Sequence, residues 1–187
     1  MATDALDLVK LTSQLEEQEL EAPGGVASAQ VYSQLLALYL LQNDVVNAKY
    51  LWKRIPSSVK QNCDELGNIW NVGQKMWQRD FAAIYEALDK TWSDNVKQHM
   101  NSLAEVTRKK AFVLIAQAYS SINGDDFAKL VGMTVNEAVD AAVAQGWQAD
   151  PQTRMLMPKK PEKPAEPLIP SEQQLSRLTD FVSFLEN

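Results

Sequence analysis

Residues 121–160 read SINGDDFAKLVGMTVNEAVDAAVAQGWQADPQTRMLMPKK. Asp125 or Asp126 is placed to cap a short helix, Phe127–Val131, and Gly132 ends it. Thr134 then caps a second helix, with Glu137 three residues on completing a capping box. Val135, Ala138, Val139, Ala142 and Val143 share the inner face of that helix, and Gly146 terminates it. Trp147-Gln148-Ala149, a turn at Asp150-Pro151-Gln152-Thr153, and Arg154-Met155-Leu156-Met157 read as a small β-hairpin. Helix, tight turn, helix and two-stranded wing together make a winged helix.

Upstream, the pattern is helical throughout. Asp4 to Glu21 carries Leu8, Leu11 and Leu15 at helical spacing, with Glu16, Glu17, Glu19 and Glu21 on a solvated face. Pro23-Gly24-Gly25 stops it. Ser28 starts a helix through Leu41 that is apolar on more than one face, which places it centrally in the core. Asn43-Asp44 is a turn and N-cap for Val45–Ile55, which Pro56 ends. A further helix spans Asp64–Gln78, with Leu66, Ile69, Trp70, Gly73 and Trp77 on one face. Asp80 caps the next, with Phe81, Ile84, Tyr85 and Leu88 aligned. Shifted by 36 residues, Ala37 falls on Gly73, Leu41 on Trp77 and Asp44 on Asp80. A helix–turn–helix unit used twice suggests a short solenoid that needs another element to cap it. Val96, Met100 and Leu103 give one amphipathic set, and Ala111–Ile122 reads as a strongly apolar helix. Arg108-Lys109-Lys110 sits between them as a surface cluster at a helix start or bend.

Downstream, Pro158 to Pro170 holds five prolines and reads as an extended tether. Ser171 and Gln174 then form a capping-box start. Leu175, Leu178, Val182 and Leu185 follow at steps of 3, 4 and 3, with Phe181 beside them. That is a narrow apolar stripe on one helix face. A tethered helix of this kind either folds back on its own domain or docks into another chain. The wing offers a second assembly feature. Met155, Leu156 and Met157 would make an open strand edge apolar on both faces, suited to pairing with another protein's strand. The expected division is therefore a helical-repeat part (1–120), a winged-helix part (121–158), a Pro-rich tether (159–170) and a C-terminal assembly helix (171–187).

Composition limits the function classes. Hydrophobic residues make up 45% of the chain, normal for a globular core. Its longest apolar run, Leu35–Leu41, is too short to span a bilayer. The start, Met-Ala-Thr-Asp, has no signal-peptide character, and the single cysteine, Cys63, has no intramolecular partner. These features fit the cytosol or nucleus. A net charge of −6 disfavours general affinity for nucleic acid or anionic lipid. The second helix of the winged helix, which would read DNA, carries Glu137 and Asp140 and no basic residue.

Enzyme signals are missing. His99 is the only histidine, and with Cys63 it gives no metal-ligand spacing. Cys63 lies among Gln61, Asn62, Asp64 and Glu65, a poor setting for a nucleophilic thiol. No P-loop, G-x-G-x-x-G or G-x-S-x-G motif occurs. No cofactor is expected. Trp52, Trp70, Trp77, Trp92 and Trp147 serve core packing or a partner surface, and spacing does not separate the two.

Helical repeats, a winged helix and a C-terminal helix, in that order, resemble PCI domains, the scaffold domains of the proteasome lid, the signalosome and translation initiation factor three. Glu19-Leu-Glu-Ala-Pro-Gly-Gly25, Tyr50-Leu-Trp-Lys-Arg-Ile-Pro56, Trp77-Gln-Arg-Asp-Phe81, Gln145-Gly-Trp-Gln-Ala-Asp150 and Leu178-Thr-Asp-Phe-Val-Ser-Phe-Leu-Glu-Asn187 resemble the smallest-subunit family of the COP9 (constitutive photomorphogenesis 9) signalosome. The resemblance covers essentially the whole chain. It implies a mostly α PCI fold and a non-catalytic scaffold role in the complex that removes NEDD8 from cullins and so regulates cullin–RING ubiquitin ligases. It also implies cytoplasmic and nuclear location, an end place in an arc of winged helices beside subunit 3, and a C-terminal helix entering a shared bundle. Leu175, Leu178, Phe181, Val182 and Leu185 would bury there. The peptidase motif of the complex needs two histidines, and this chain has one. A small PCI subunit of the proteasome lid or of initiation factor three has the same architecture and is the nearest alternative. A winged-helix nucleic-acid regulator is a more distant one.

Overall fold

A computed structural model describes residues 2–150, 152–160 and 171–186. Helix α2 (Ala29–Leu41) is its hub. Ser28 caps it, accepting from the Val31 N–H. Leu35, Leu36, Leu38 and Leu40 are 0% exposed. A helix that is apolar all round must be surrounded. Helices α1 (Ala2–Leu20), α3 (Val45–Arg54), α5 (Asp64–Gln78) and α7 (Asp94–Ala118) pack around it.

The 36-residue repeat is a repeated turn. Asn43 and Arg79 both take the left-handed conformation, with φ 60° and 58°. The Asp44 N–H then donates to the Tyr39 carbonyl at 2.8 Å, and the Asp80 N–H to the Lys75 carbonyl at 3.1 Å. Each aspartate caps the next helix. Asp44 Oδ1 accepts from the Asn47 N–H at 3.0 Å, and Asp80 Oδ1 from the Ala83 N–H at 3.2 Å, opening α6 (Phe81–Leu88). The small residue upstream allows close packing. A Cβ on Gly73 would lie 3.1 Å from Leu40 Cδ2.

Several expectations are corrected in the helical part. Helix α1 turns Leu15 and Thr12 inward and leaves Leu11 exposed. Its acidic face is not all solvated. Glu16 accepts from the Tyr39 hydroxyl at 2.6 Å, and Glu19 pairs with Arg54 at 2.7 Å. Burial is the main reason the Tyr39 phenol is pushed well above its ordinary pKa, and Glu16 adds to it. A short helix, α4 (Ser57–Asn62), lies between α3 and α5, where none was expected. Trp77 does not share the buried face of α5 with Ile69. It is half exposed, with the Lys49 Nζ 4.5 Å from its ring centroid.

Helix α7 is the largest departure. The basic run marks no bend, and one helix continues from Asp94 to Ala118. No Gly or Pro interrupts those residues, and Arg and Lys are good helix formers. Val96, Met100 and Leu103 join the core around α2, while Phe112, Ile115 and Ala116 join a second core. Ile122 is not helical. It lies in strand β1 (Ile122–Asn123).

The second core lies under the winged helix. Phe112, Phe127 and Trp147 cluster with ring centroids 5.1–5.5 Å apart. Helix α8 (Gly124–Val131) is capped by Asn123, whose side chain accepts from the Asp125 N–H; Asp125 and Asp126 lie within its first turn. Helix α9 (Val135–Ala144) has the expected Thr134–Glu137 capping box. It buries Ala138 and Ala142, while Val135 and Val143 point outward. Strands β2 (Gln148–Asp150) and β3 (Met155–Met157) form the hairpin, and β1 adds to it in the order β1-β3-β2, all antiparallel.

The two cores meet at a tight junction. The Tyr85 ring lies where a Cβ on Gly132 (φ +65°) would be 2.3 Å away. Arg108 Nε donates to the Val131 carbonyl at 3.2 Å, and its guanidinium lies over the Tyr85 ring. Arg108 therefore ties α7 to α8 rather than standing in a surface cluster. Burial raises the Tyr85 phenol to about 12, against the pull of Arg108.

Candidate assembly interface

Helix α10 (Ser171–Glu186) forms as expected. Leu175, Leu178, Phe181, Val182 and Leu185 are 53–79% exposed. At 100° per residue these five fall within a third of the helix circumference. Phe184, also exposed, widens the stripe by about 60°. The tether expected at residues 159–170 lies outside the described residues from 161 onward.

The wing differs from its sequence reading. Met155–Met157 is not a free edge. It is the middle strand, with Ile122 and Asn123 on one side and Gln148–Asp150 on the other. Its apolar character has another cause: Leu156 points into the second core and is 1% exposed. Met157 remains 45% exposed. The outer strands of the sheet are β1 and β2, so the edges fall to Ile122–Asn123 and Gln148–Asp150 rather than to the Met155–Met157 run. The wing turn is fixed by Asp150, which accepts from the Gln152 N–H at 2.9 Å and the Thr153 hydroxyl at 2.8 Å. Those bonds hold its carboxyl below the usual range.

Helix α9 presents Asn136, Glu137 and Asp140 rather than cations. Hydrogen bonds from the Thr134 hydroxyl and N–H hold the Glu137 carboxyl below the usual range, so it stays anionic. A phosphate backbone would meet a negative surface. His99 lies partly buried in α7, where desolvation lowers its pKa. Among the described residues, no group of three or more His, Cys, Asp or Glu is placed to hold a metal, and no helix is long and apolar enough to cross a membrane.

One surface was not legible in the sequence. Val46, Trp77, Val106 and Leu114, from three helices, line one groove. Periodicity leaves Trp77 open between core and partner surface and does not single out Val46 or Val106, and only the packing of α3, α5 and α7 gathers the four.

The chain is similar in sequence to known proteins. Residues 26–166 match the CSN8/PSMD8/EIF3K family. The chain is 58% identical to COP9 signalosome complex subunit 8 of Xenopus laevis, over 100% of this chain and 96% of that one. It is 33% identical to the subunit of the same name from Drosophila melanogaster, covering 95% and 96%. The Arabidopsis thaliana subunit is 35% identical over 80% and 76%. The chain belongs to the CSN8/PSMD8/EIF3K family, and within it resembles subunit 8 of the COP9 signalosome.

Proposed function

We propose that this protein is a non-catalytic assembly subunit of the COP9 signalosome in cytoplasm and nucleus, supporting removal of NEDD8 from cullins. The observation that carries the reading is the uncovered stripe of α10 in a chain this similar to signalosome subunits. Residues 1–120 form the helical support and 121–158 the winged unit. Residues 171–187 form the anchor. In the assembled complex, Leu175, Leu178, Phe181, Val182 and Leu185 bury against helices of other subunits. Each contributes about 1.5–3 kcal/mol before ordering costs. The wing meets a neighbouring subunit, subunit 3 in this reading, through the open β2 edge and exposed Met157. The family also contains the lid and initiation-factor branches, but the similar proteins named above are all signalosome subunits.

Native mass spectrometry of the tagged chain from its own cells tests this. Wild type should bring down a multi-subunit complex with cullin-deneddylating activity. Leu178→Asp with Val182→Asp should come down alone, with unchanged melting. Copurification of the double variant at the wild-type level would remove α10 as the anchor. A lid or initiation-factor complex would keep the fold and replace the assignment.

A further inference from the structure

The groove between the two repeat turns and the middle of α7 has a volume of about 590 Å³. This falls in the range of ligand pockets, about 300–1,000 Å³. Val46, Trp77, Val106 and Leu114 are 42–55% exposed along it. Single exposed apolar side chains need no explanation, but four converging from three helices on one hollow do. Trp at such a place is also the residue type that anchors interfaces.

The charge around the groove opposes that of the chain. Net charge is −6, yet Arg79 and Lys110 line the groove and Lys49 stands over Trp77. The acidic residue in the lining, Asp44, is already engaged: both carboxylate oxygens accept hydrogen bonds from Asn47. The Arg79 side chain makes no hydrogen bond or ion pair among the described residues; only its backbone N–H is bonded, to the Met76 carbonyl at 3.1 Å. It is held at the rim by the left-handed turn it closes.

We propose that this groove docks a helical segment of another protein that carries Leu- or Phe-type anchors flanked by Asp and Glu. The anchors enter between Trp77 and Leu114. The acids meet Arg79 and Lys110. This is helix-in-groove recognition with electrostatic selection. It is independent of α10 and of the identity of the complex.

The test uses the full-length chain and two labelled helical peptides of about 14 residues. Both carry Leu or Phe at i, i+3, i+4 and i+7. One has Glu at the flanks and its twin has Lys. Fluorescence anisotropy should show binding of the Glu peptide, at least about tenfold weaker with Trp77→Ala and with Arg79→Glu plus Lys110→Glu. Lys97→Glu, about 20 Å along the same helix, should leave binding unchanged. Urea midpoints verify that each variant is folded. Equal binding of the Lys twin, no binding of the Glu peptide, or equal loss with Lys97→Glu would overturn the proposal. So would tight binding only after removal of residues 171–187, because the chain's own last helix would then be the occupant.

Discussion

Helix α2, apolar all round, and helix α10, apolar along one face, are of similar length, 13 and 16 residues. Leu36 in α2 is 0% exposed, whereas Leu178 in α10 is 60% exposed. The difference is one of neighbours rather than side chains. Four helices enclose α2, so its apolar surface contributes to folding. The same residue type in α10 stays exposed, so its apolar surface contributes little to folding of the described chain. Hydrophobicity states how much stabilisation is available, and topology decides whether folding or association receives it.

The largest effect should come from breaking the buried side. Leu36→Ala should cost about 2–5 kcal/mol in urea unfolding. Leu178→Ala should leave the free chain within about 0.5 kcal/mol of wild type, as surface changes do. Similar losses at both sites would mean that α10 is part of the folded core, and the comparison would fail.

Next is the junction between the two cores. Gly132→Ala puts a methyl group into the Tyr85 ring at positive φ, and should cost about 1–3 kcal/mol. Relief of part of that loss by Tyr85→Ala would assign it to the ring contact rather than to backbone strain alone.

The repeat gives a smaller and more symmetric test. Asp44→Ala and Asp80→Ala each remove an N-cap of the same geometry, and each should cost about 1 kcal/mol in thermal or urea unfolding. Clearly unequal losses would show that the two turns carry different loads despite their shared shape.

The smallest effect is a pH dependence. Burial lowers the His99 pKa in the folded chain, so the unfolded chain binds the proton more readily. The contribution of this site is present above about pH 6.5 and lost as pH falls below it. His99→Gln should flatten the stability profile between about pH 5 and 7. An unchanged slope would place the dependence elsewhere.

Much of the fold was legible because its signals are short-range. The Thr134–Glu137 box, the caps at Ser28, Asp44 and Asp80, and the stops at Gly132 and Gly146 involve bonds spanning a few residues. The apolar stripe of α10 is equally local. The errors cluster where partners are distant. Two residues, Ile122 and Asn123, become a strand only because Leu156 and Met155 lie opposite them. That pairing turns Met155–Met157 from an edge into a centre. Arg108-Lys109-Lys110 reads as a surface cluster at a helix start or bend because basic runs are usually exposed, but α7 runs straight through it and Arg108 reaches the Val131 carbonyl of α8.

The sequence by itself determined the helical periods, the repeated turn, the winged-helix order and the amphipathic last helix. Caps and periodicity depend on residues within about four positions of one another. Only the tertiary structure decided that α7 joins two cores, that the apolar wing strand is the middle one, and that a basic-rimmed groove opens beside Trp77. Each of these depends on side chains far apart in the chain, and only packing brings them within reach.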